Sequence, residues 1–436
     1  MSTTVLTTPV IDPAFKPFLD RRVEPTWLTN LRLAAWEQYQ SMNWPTRSEE
    51  DWMRSDLRGL HIDKYRPLEA REATQATCPT WLLDGVETDG QLRSVDGFVQ
   101  HEQLSPEAAS RGIFFGSLER ACQTIGNVVE PYLMKTVDYK ADKFAALQAA
   151  SWASGAFIHV PRNVSVDKPL HIHSGMTDGG VDTSHILIVL EENASATVLC
   201  ECSSITESSD GFHCGGLEIV LKPGAQLRFV KLQEWGDRVW HFAQQRAIVD
   251  RNASIQWTLA AMGAKFVQVA QQVSLVGEGA SSQVNGTMFT RGKQQMTYNT
   301  LQSHEAPHCT SDFLYKAALQ DRSRTVWRGM IKVAPGAFKT DGYQRNDNLM
   351  LSEHARADSI PGLEIKADDV RCTHGSTTGR VDDELIFYAQ SRGFTRQEAV
   401  HLIVTGFFQQ IFDRISIESV RKALGHAIAR QVRQYE

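Results

Sequence analysis

The hexapeptide Val189-Leu190-Glu191-Glu192-Asn193-Ala194 begins a pattern that repeats along the middle of the chain. Its copies are Val220-Leu221-Lys222-Pro223-Gly224-Ala225, Ile248-Val249-Asp250-Arg251-Asn252-Ala253 and Leu275-Val276-Gly277-Glu278-Gly279-Ala280. Each copy has two aliphatic residues, two polar or turn residues, Asn or Gly, and then Ala. The alanines of successive copies recur at a nearly constant spacing along the chain. A further copy, Lys332-Val333-Ala334-Pro335-Gly336-Ala337, follows after a double interval, and the copy between them, near Glu305-Ala306, is degraded.

This repeat predicts one sharp corner in each coil of a stacked β structure. Asn or Gly supplies the left-handed backbone conformation of the corner, and the small Ala lets the next layer approach closely. The flanking segments 226–230 and 254–257 alternate so that every second side chain points inward. A repeat of nearly constant spacing, with several short strands and no helices between them, predicts a parallel β-helix. An antiparallel sandwich with coincidental turns is the alternative.

The sequence pattern changes on both sides of these repeats. We expect a mostly helical region at residues 1–154, a β-helix core at 155–380 and a helical domain at 381–436. In the first region, one helix is expected from Thr26 and a second segment from Pro45 through Leu57. Two later helices are predicted there, one capped by Ser117 and one over 138–153.

The last region contains helices with more apolar residues than one core-facing stripe needs. Residues 382–384 place carboxylates at a helix start, and 395–398 form a capping box that opens the next helix. The surplus apolar set on that helix is Val400, Ile403, Val404, Phe407, Phe408, Ile411 and Phe412. These side chains either pack against neighbouring helices and the end of the β-helix, or bind a partner.

Composition excludes several classes of protein. The 436 residues are 42% apolar and 22% charged, with a net charge of −6, which disfavours disorder and nucleic-acid binding. No apolar run approaches the roughly 18 residues of a membrane span, and the N-terminus lacks a secretory signal, so we expect a cytoplasmic protein without a membrane partner. The seven cysteines include no C-x-x-C pair and are expected to be free thiols.

The sequence also contains no phosphate-binding loop, dinucleotide fingerprint, nucleophile elbow or H-E-x-x-H motif. Residue types that bind soft metals occur in Cys372-Thr373-His374, Cys200-Glu201-Cys202, His171-Ile172-His173, and His304 with His308-Cys309. Side chains at i and i+2 on a strand share a face, which suits two ligands but often occurs by chance. We expect His171 and His173 at the surface or at corners, and Cys200 and Cys202 in the core. The last group is expected in a loop of the degraded repeat.

The C-terminal third carries a series of motifs in a specific order. They are Ser303-His304-Glu305, Gly329-Met330-Ile331-Lys332-Val333, Asp347-Asn348-Leu349-Met350-Leu351, Lys366-Ala367-Asp368-Asp369-Val370-Arg371-Cys372-Thr373-His374-Gly375, and Asp382-Asp383-Glu384-Leu385-Ile386-Phe387-Tyr388 with Ser391-Arg392-Gly393. In this order the motifs resemble the SufB/SufD family of iron-sulfur cluster assembly scaffolds, and most closely its SufD branch. The motif-bearing match covers about residues 300–415, and the layout of the regions fits the family over nearly the whole chain.

The resemblance implies a mainly β protein with a right-handed parallel β-helix that pairs end to end with SufB. It also implies that the C-terminal helical domain docks the ATPase SufC, and we expect Phe407, Phe408, Ile411 and Phe412 to make that contact. The chain would then be a non-catalytic scaffold subunit, with ATP hydrolysis in SufC. The resemblance leaves open that the isolated chain forms a homodimer.

By its position in the motif Asp-Asp-Val-Arg-Cys-Thr-His-Gly, His374 corresponds to the family histidine at the SufB interface, where the nascent cluster forms. Cys372 is the nearby thiol, and imidazole with thiolate suits iron. No stably bound cofactor is expected: iron and the cluster pass through the site, and a reduced flavin can join the assembled complex. The SufB paralogue carries a cysteine where this chain has Ile365, which favours the SufD branch.

Two other functions stay open at this point. A polysaccharide-active β-helix enzyme, usually exported, would need clustered carboxylates or basic residues on one exposed sheet. A purely structural adaptor would only present the C-terminal helices to SufC.

Overall fold

The structure is a computed structural model that describes residues 12–66, 76–415 and 417–432. Its strands are β1 (Gly90–Val95), β2 (Phe98–Leu104), β3 (Phe114–Ser117), β4 (Gly155–Val160), β5 (Leu170–Met176), β6 (Gly180–Asp182), β7 (His185–Leu190), β8 (Ser195–Ser204), β9 (Asp210–Leu221), β10 (Gln226–Trp235), β11 (Arg238–Val249), β12 (Ser254–Gly263), β13 (Phe266–Leu275), β14 (Ser281–Thr290), β15 (Gln295–His304), β16 (Thr310–Leu319), β17 (Arg324–Val333), β18 (Asp341–Met350), β19 (Arg356–Ile365) and β20 (Arg371–Arg380). Its helices are α1 (Lys16–Asp20), α2 (Thr26–Ser41), α3 (Ile62–Tyr65), α4 (Pro106–Ser110), α5 (Leu118–Thr124), α6 (Gly126–Val129), α7 (Lys143–Ser151), α8 (Asp383–Ser391), α9 (Arg396–Phe412) and α10 (Glu418–Val432).

The centre of the molecule is a parallel β-helix built from two facing sheets, which confirms the mainly β expectation. The first sheet has the order β2-β1-β5-β8-β10-β12-β14-β16-β18-β20, and the second has the order β19-β17-β15-β13-β11-β9-β7-β4-β3, with β6 beside β9. Among the described strands, only the outermost pairs β1–β2 and β3–β4 are antiparallel, so the sandwich alternative is wrong. The handedness of the coil stays a prediction.

The predicted corners are real, and they stack on one another. Asn193 and Asn252 adopt φ of 58° and 55°, and Gly224 and Gly279 both adopt 73°. The backbone N–H of Asn252 donates to the carbonyl of Glu278 in the next coil at 3.0 Å. Each corner therefore fixes the height of the following coil.

The copy that looks degraded in the sequence is also a corner. His308 takes the left-handed position with φ of 58°, and Cys309 is fully buried at the position of the small alanine. His tolerates this conformation better than most residues, and a cysteine is small enough to replace Ala. In the next coil both Gly336 and Lys339 are left-handed, with φ of 84° and 57°, because additional residues separate Ala337 from the start of β18.

Three apolar clusters explain why many strands are buried on both faces. The first fills the lumen between the sheets, with Phe229, Trp257 and Phe313 among its members. The second lies between the outer face of the second sheet and the N-terminal region. The third lies between the outer face of the first sheet and helices α8 to α10. The C-terminal helices thus cover the first sheet, while the N-terminal region covers the second sheet and, through Leu82, also joins the cluster on the first.

The expectations for the flanking helices are met in part. α2 and the Ser117-capped α5 are present, and α7 is shorter than predicted because Asp142 caps it. The expected helix after Pro45 is wrong: residues 47–54 form turns. A helix would use the backbone carbonyls of this segment for its own hydrogen bonds. Here side chains of the second sheet bind two of them: Gln268 donates to the backbone oxygen of Asp51, and Gln295 donates to that of Arg54.

The region up to residue 154 also contributes β1, β2 and β3 to the sheets. At the other end of the chain, the capping box of Thr395 and Glu398 is present. Within the described ranges, every helix is too short or too polar to cross a membrane.

Candidate functional site

The C-terminal end of the β-helix is open. Among the described strands, β19 and β20 are the last of their sheets, and each has a neighbour on one side only. Ile331 and Val333 on β17 are 0% and 1% exposed, whereas Leu363 and Ile365, their register partners on β19, are 37% and 41% exposed. The lumen is therefore uncovered at this end, and two strand edges present unpaired backbone groups.

His374 lies at this open end and in the line of the core. The lumen-facing residues Phe229, Trp257, Val284, Phe313 and Gln344 occupy equivalent register positions in successive coils, and His374 follows Gln344. Those five side chains are fully buried, whereas His374 is exposed on β20. Within the described part of the chain its imidazole forms no hydrogen bond or ion pair, so both ring nitrogens are available to a ligand from outside.

Cys372 precedes His374 by two residues on the same strand and shares its face. It is half-buried and packs against Ile331, Val333 and Ala337. Burial raises the pKa of this thiol, which favours the protonated form. A protonated thiol is a poor metal ligand, so Cys372 is a weaker candidate than His374 unless a metal ion displaces its proton.

The two residues make an incomplete ligand set. Across the described residues, no group of three or more His, Cys, Asp or Glu side chains could hold a metal ion. Ile365, at the end of β19, supplies no ligand to the rim. An iron ion or cluster handled at this end would need further ligands from another molecule.

The other soft-ligand groups of the sequence are structural. The expectation that His171 and His173 lie at the surface is wrong, since they are 2% and 1% exposed on β5. His171 pairs with the buried Glu201 at 2.8 Å, and this carboxylate accepts the backbone N–H groups of Trp81 and Leu82. N-terminal segments bury the outer faces of the sheets, so histidines on those faces lie in the protein interior. Short-range sequence patterns do not reveal this burial.

Cys200 and Cys202 lie in the lumen core, as expected. His304 is also fully buried, at the end of β15 rather than in a loop, with Nε2 at 2.8 Å from Ser311 Oγ. Cys309 is also buried, and its thiol contacts the carbonyl of Gly277 at 3.3 Å. His308, the remaining member of the last group, is exposed at the corner, whereas Cys200, Cys202, His304 and Cys309 are closed to a ligand from solvent.

The apolar face expected to dock a partner is mostly core. Phe408 and Ile411 are 0% exposed and Phe412 is 3% exposed. Phe407 is half-buried, with Lys316 Nζ at 4.8 Å from its ring centroid. The prediction of an exposed docking face is therefore wrong at these three buried positions. The additional apolar side chains of α9 pack against the outer face of the first sheet.

The exposed apolar residues of the C-terminal domain lie mainly on and after α8. They are Leu385, Phe387, Tyr388, Phe394 and Leu402, with exposed fractions of 52%, 73%, 58%, 44% and 49%. We call this set the α8 patch. The motif Asp-Asp-Glu-Leu-Ile-Phe-Tyr contains three of its members, and only Ile386 in that run turns inward to the core. The signal was present in the sequence as an apolar stretch on a short helix.

Comparison with known proteins agrees with this geometry. The family model for the SUF system FeS cluster assembly SufBD core domain matches residues 172–407, and the model for the SufBD N-terminal region matches residues 19–172. The iron-sulfur cluster assembly protein SufD of Bacillus subtilis is 29% identical over 96% of this chain and 97% of its own length. An iron-sulfur cluster assembly SufBD family protein of Staphylococcus saprophyticus is 26% identical over 91% of this chain and 87% of its own. The core model alone covers more than half of the sequence, and the chain belongs to the SufBD family.

Proposed function

We propose that this protein is a SufD-type subunit of a complex that assembles iron-sulfur clusters. It pairs through its open β-helix end with SufB, and its C-terminal domain binds SufC, whose ATP hydrolysis drives the complex. The observation that carries this proposal is the exposed imidazole of His374 at the end of a column of core side chains. Iron and the nascent cluster are substrates at this rim. A reduced flavin in the assembled complex stays a prediction.

Incomplete ligation suits an assembly site. One imidazole and at most one thiol from this chain bind a cluster weakly, so the cluster can be released once it is complete. The partner strand edges would pair with β19 and β20 and cover Leu363 and Ile365, which gives the interface main-chain hydrogen bonds as well as apolar burial.

The test of the site is His374→Ala, produced together with SufB and SufC and purified without oxygen. We expect a complex of unchanged stoichiometry that has lost most of its iron and sulfide, because the exposed imidazole of His374 has no hydrogen bond or ion pair within the described residues. His101→Ala is the matched control, since His101 is exposed on β2 near the opposite end of the first sheet. Equal iron and sulfide in both variants would remove His374 from the site and leave only the adaptor function.

The test of SufC docking is Phe387→Ser in the α8 patch. We expect the affinity for SufC to fall by more than about tenfold, because a large exposed aromatic side chain is a typical anchor of an interface. Phe338→Ser is the control, because Phe338 is 47% exposed at a corner of the β-helix. Unchanged binding by Phe387→Ser would place the SufC interface elsewhere.

The polysaccharide-enzyme alternative gains no support from the groove along the first sheet. The groove is lined by the carboxylates Asp167, Asp312 and Asp341, and each is ion-paired with an arginine. A general acid and base pair needs carboxylates that are free to exchange protons with substrate.

A further inference from the structure

The lumen of the β-helix contains a lysine. Lys231 on β10 lies between Cys200 of β8 and Leu259 of β12 in the register of the first sheet, and it is 8% exposed. Its neighbours at i−2 and i+4, Phe229 and Trp235, also belong to the lumen core. Within the described residues, its amino group forms no hydrogen bond or ion pair. A charged amino group in a protein interior is unfavourable unless something solvates it.

A small cavity adjoins this lysine. Its volume is about 20 Å³, and its polar lining consists of Ser174, Ser184, Cys202, His213, Lys231 and Gln245. Room for one water molecule requires about 10–15 Å³ on this scale, so the cavity accommodates a single molecule of that size.

Two of the residues that line this cavity carry polar atoms without partners. Within the described ranges, His213 Nδ1 and Gln245 Oε1 are buried and form no hydrogen bond, and neither does the nearby Asp182 Oδ2, which is 3.9 Å from His213 Nε2. His213 and Gln245 are both 3% exposed, and Asp182 is 0% exposed. Such atoms are rare in folded proteins unless ordered water satisfies them.

The charges in the lumen restrict the occupant. Burial, and to a smaller extent the charge of Lys231, lowers the pKa of His213 to about 3, so this ring is neutral near pH 7. Lys231 would repel a metal cation. A halide would accept from Lys231 but could not donate to Gln245 Oε1. Water does both.

We propose that this cavity is a permanent hydration site, in which one water molecule accepts a hydrogen bond from Lys231 and donates one to Gln245. The bound water solvates the amino group and links the two sheets across the lumen. This site is independent of the cluster-assembly function.

The test is a high-resolution crystal structure of the full chain, with a second crystal soaked in bromide. We expect a density peak within hydrogen-bond distance of Lys231 Nζ and Gln245 Oε1, with no bromide anomalous signal there. An empty cavity, a bromide peak, or direct contact of Lys231 with Asp182 would overturn the proposal.

A measurement in solution complements the crystals. Oxygen-17 magnetic relaxation dispersion counts water molecules that stay inside a protein for longer than the bulk. Lys231→Met should have one such water fewer than the unmodified chain, and the exposed Lys293→Met should have the same number as the unmodified chain. An equal count in Lys231→Met would also overturn the proposal. If that variant does not fold, the two crystal structures decide.

Discussion

Individual buried histidines make the stability of this protein depend on pH. Burial lowers the pKa of His304 to about 4 from its ordinary value of 6.5, while the same residue in the unfolded chain keeps the ordinary value. Below pH 6.5 the unfolded state therefore binds more protons than the folded state. Stability that is complete above pH 6.5 is lost as the pH falls towards 4.

His304→Gln should remove this dependence at one site. Between pH 6 and pH 4 the unfolding free energy should fall less steeply in the variant, by at most about 1.4 kcal/mol per pH unit. Urea unfolding at several pH values measures the slope, and His101→Gln, at an exposed position, should leave it unchanged. Identical slopes for His304→Gln and the unmodified chain would show that His304 does not titrate in this way.

Arg32 is a second residue whose role is local and strong. Its Nε donates to Glu24 at 3.0 Å, and its Nη1 donates to the carbonyls of Ala150 and Trp152 at 3.0 and 2.9 Å. Arg32→Met should destabilise the fold by about 3–5 kcal/mol, because the buried Glu24 and two carbonyls lose their donor. Denaturant unfolding measures this loss. Arg58→Met, which breaks the exposed pair with Asp56, should show no measurable change, and a similar loss in both variants would contradict the argument.

Among the elements, the stacked corners determine the spacing of the coils. Gly279 adopts φ of 73°, and a Cβ there would lie 2.5 Å from Asn252 Oδ1 in the preceding coil. Gly279→Ala should therefore cost about 1–2 kcal/mol for the left-handed backbone and more for the clash. Gly292→Ala is the matched control, since it has φ of 59° and open space around the new Cβ. Thermal unfolding compares the two, and equal losses would show that the contact between corners contributes nothing.

The corners were predictable because they depend on residue types a few positions apart, namely an aliphatic pair, Asn or Gly, and Ala. The corner at His308 and Cys309 was missed because His replaces Asn or Gly at the left-handed position and Cys replaces the small Ala. Both replacements are tolerated, since His can adopt the left-handed conformation and Cys is small. The turns after Pro45 were missed because their backbone is held by Gln268 and Gln295, which lie far away in the sequence. Local patterns do not report such contacts.

In the candidate site, too, local patterns were informative and contacts between distant parts of the sequence were not. His374 is predicted as a site residue from the order of the motifs around it, and its exposure follows from its place in the last coil. The prediction that Phe408, Ile411 and Phe412 contact SufC rests on the apolar width of α9, which exceeds one stripe. The sequence does not show that the outer face of the first sheet, with Val230, Leu232 and Phe289, covers that width.

For the whole molecule, we expect the open rim to determine association. The antiparallel β2 and β3 end the sheets on one side, and β19 and β20 leave them open on the other. An uncovered lumen with unpaired strand edges favours pairing with a second such rim, from SufB or from another copy of this chain. We expect the isolated protein to form a dimer through this end at high concentration.

The double variant Leu363→Ser with Ile365→Ser tests this association. Both side chains are more than one third exposed, so the melting temperature should change little, while the dimer and the complex with SufB should weaken together. Sedimentation velocity over a range of concentrations measures the first, and co-purification measures the second. Val276→Ser, at a 36% exposed corner, is the control and should keep both associations. If the double variant still forms the dimer and binds SufB, the rim is not the interface, and His374 would have no second chain to complete its ligand set.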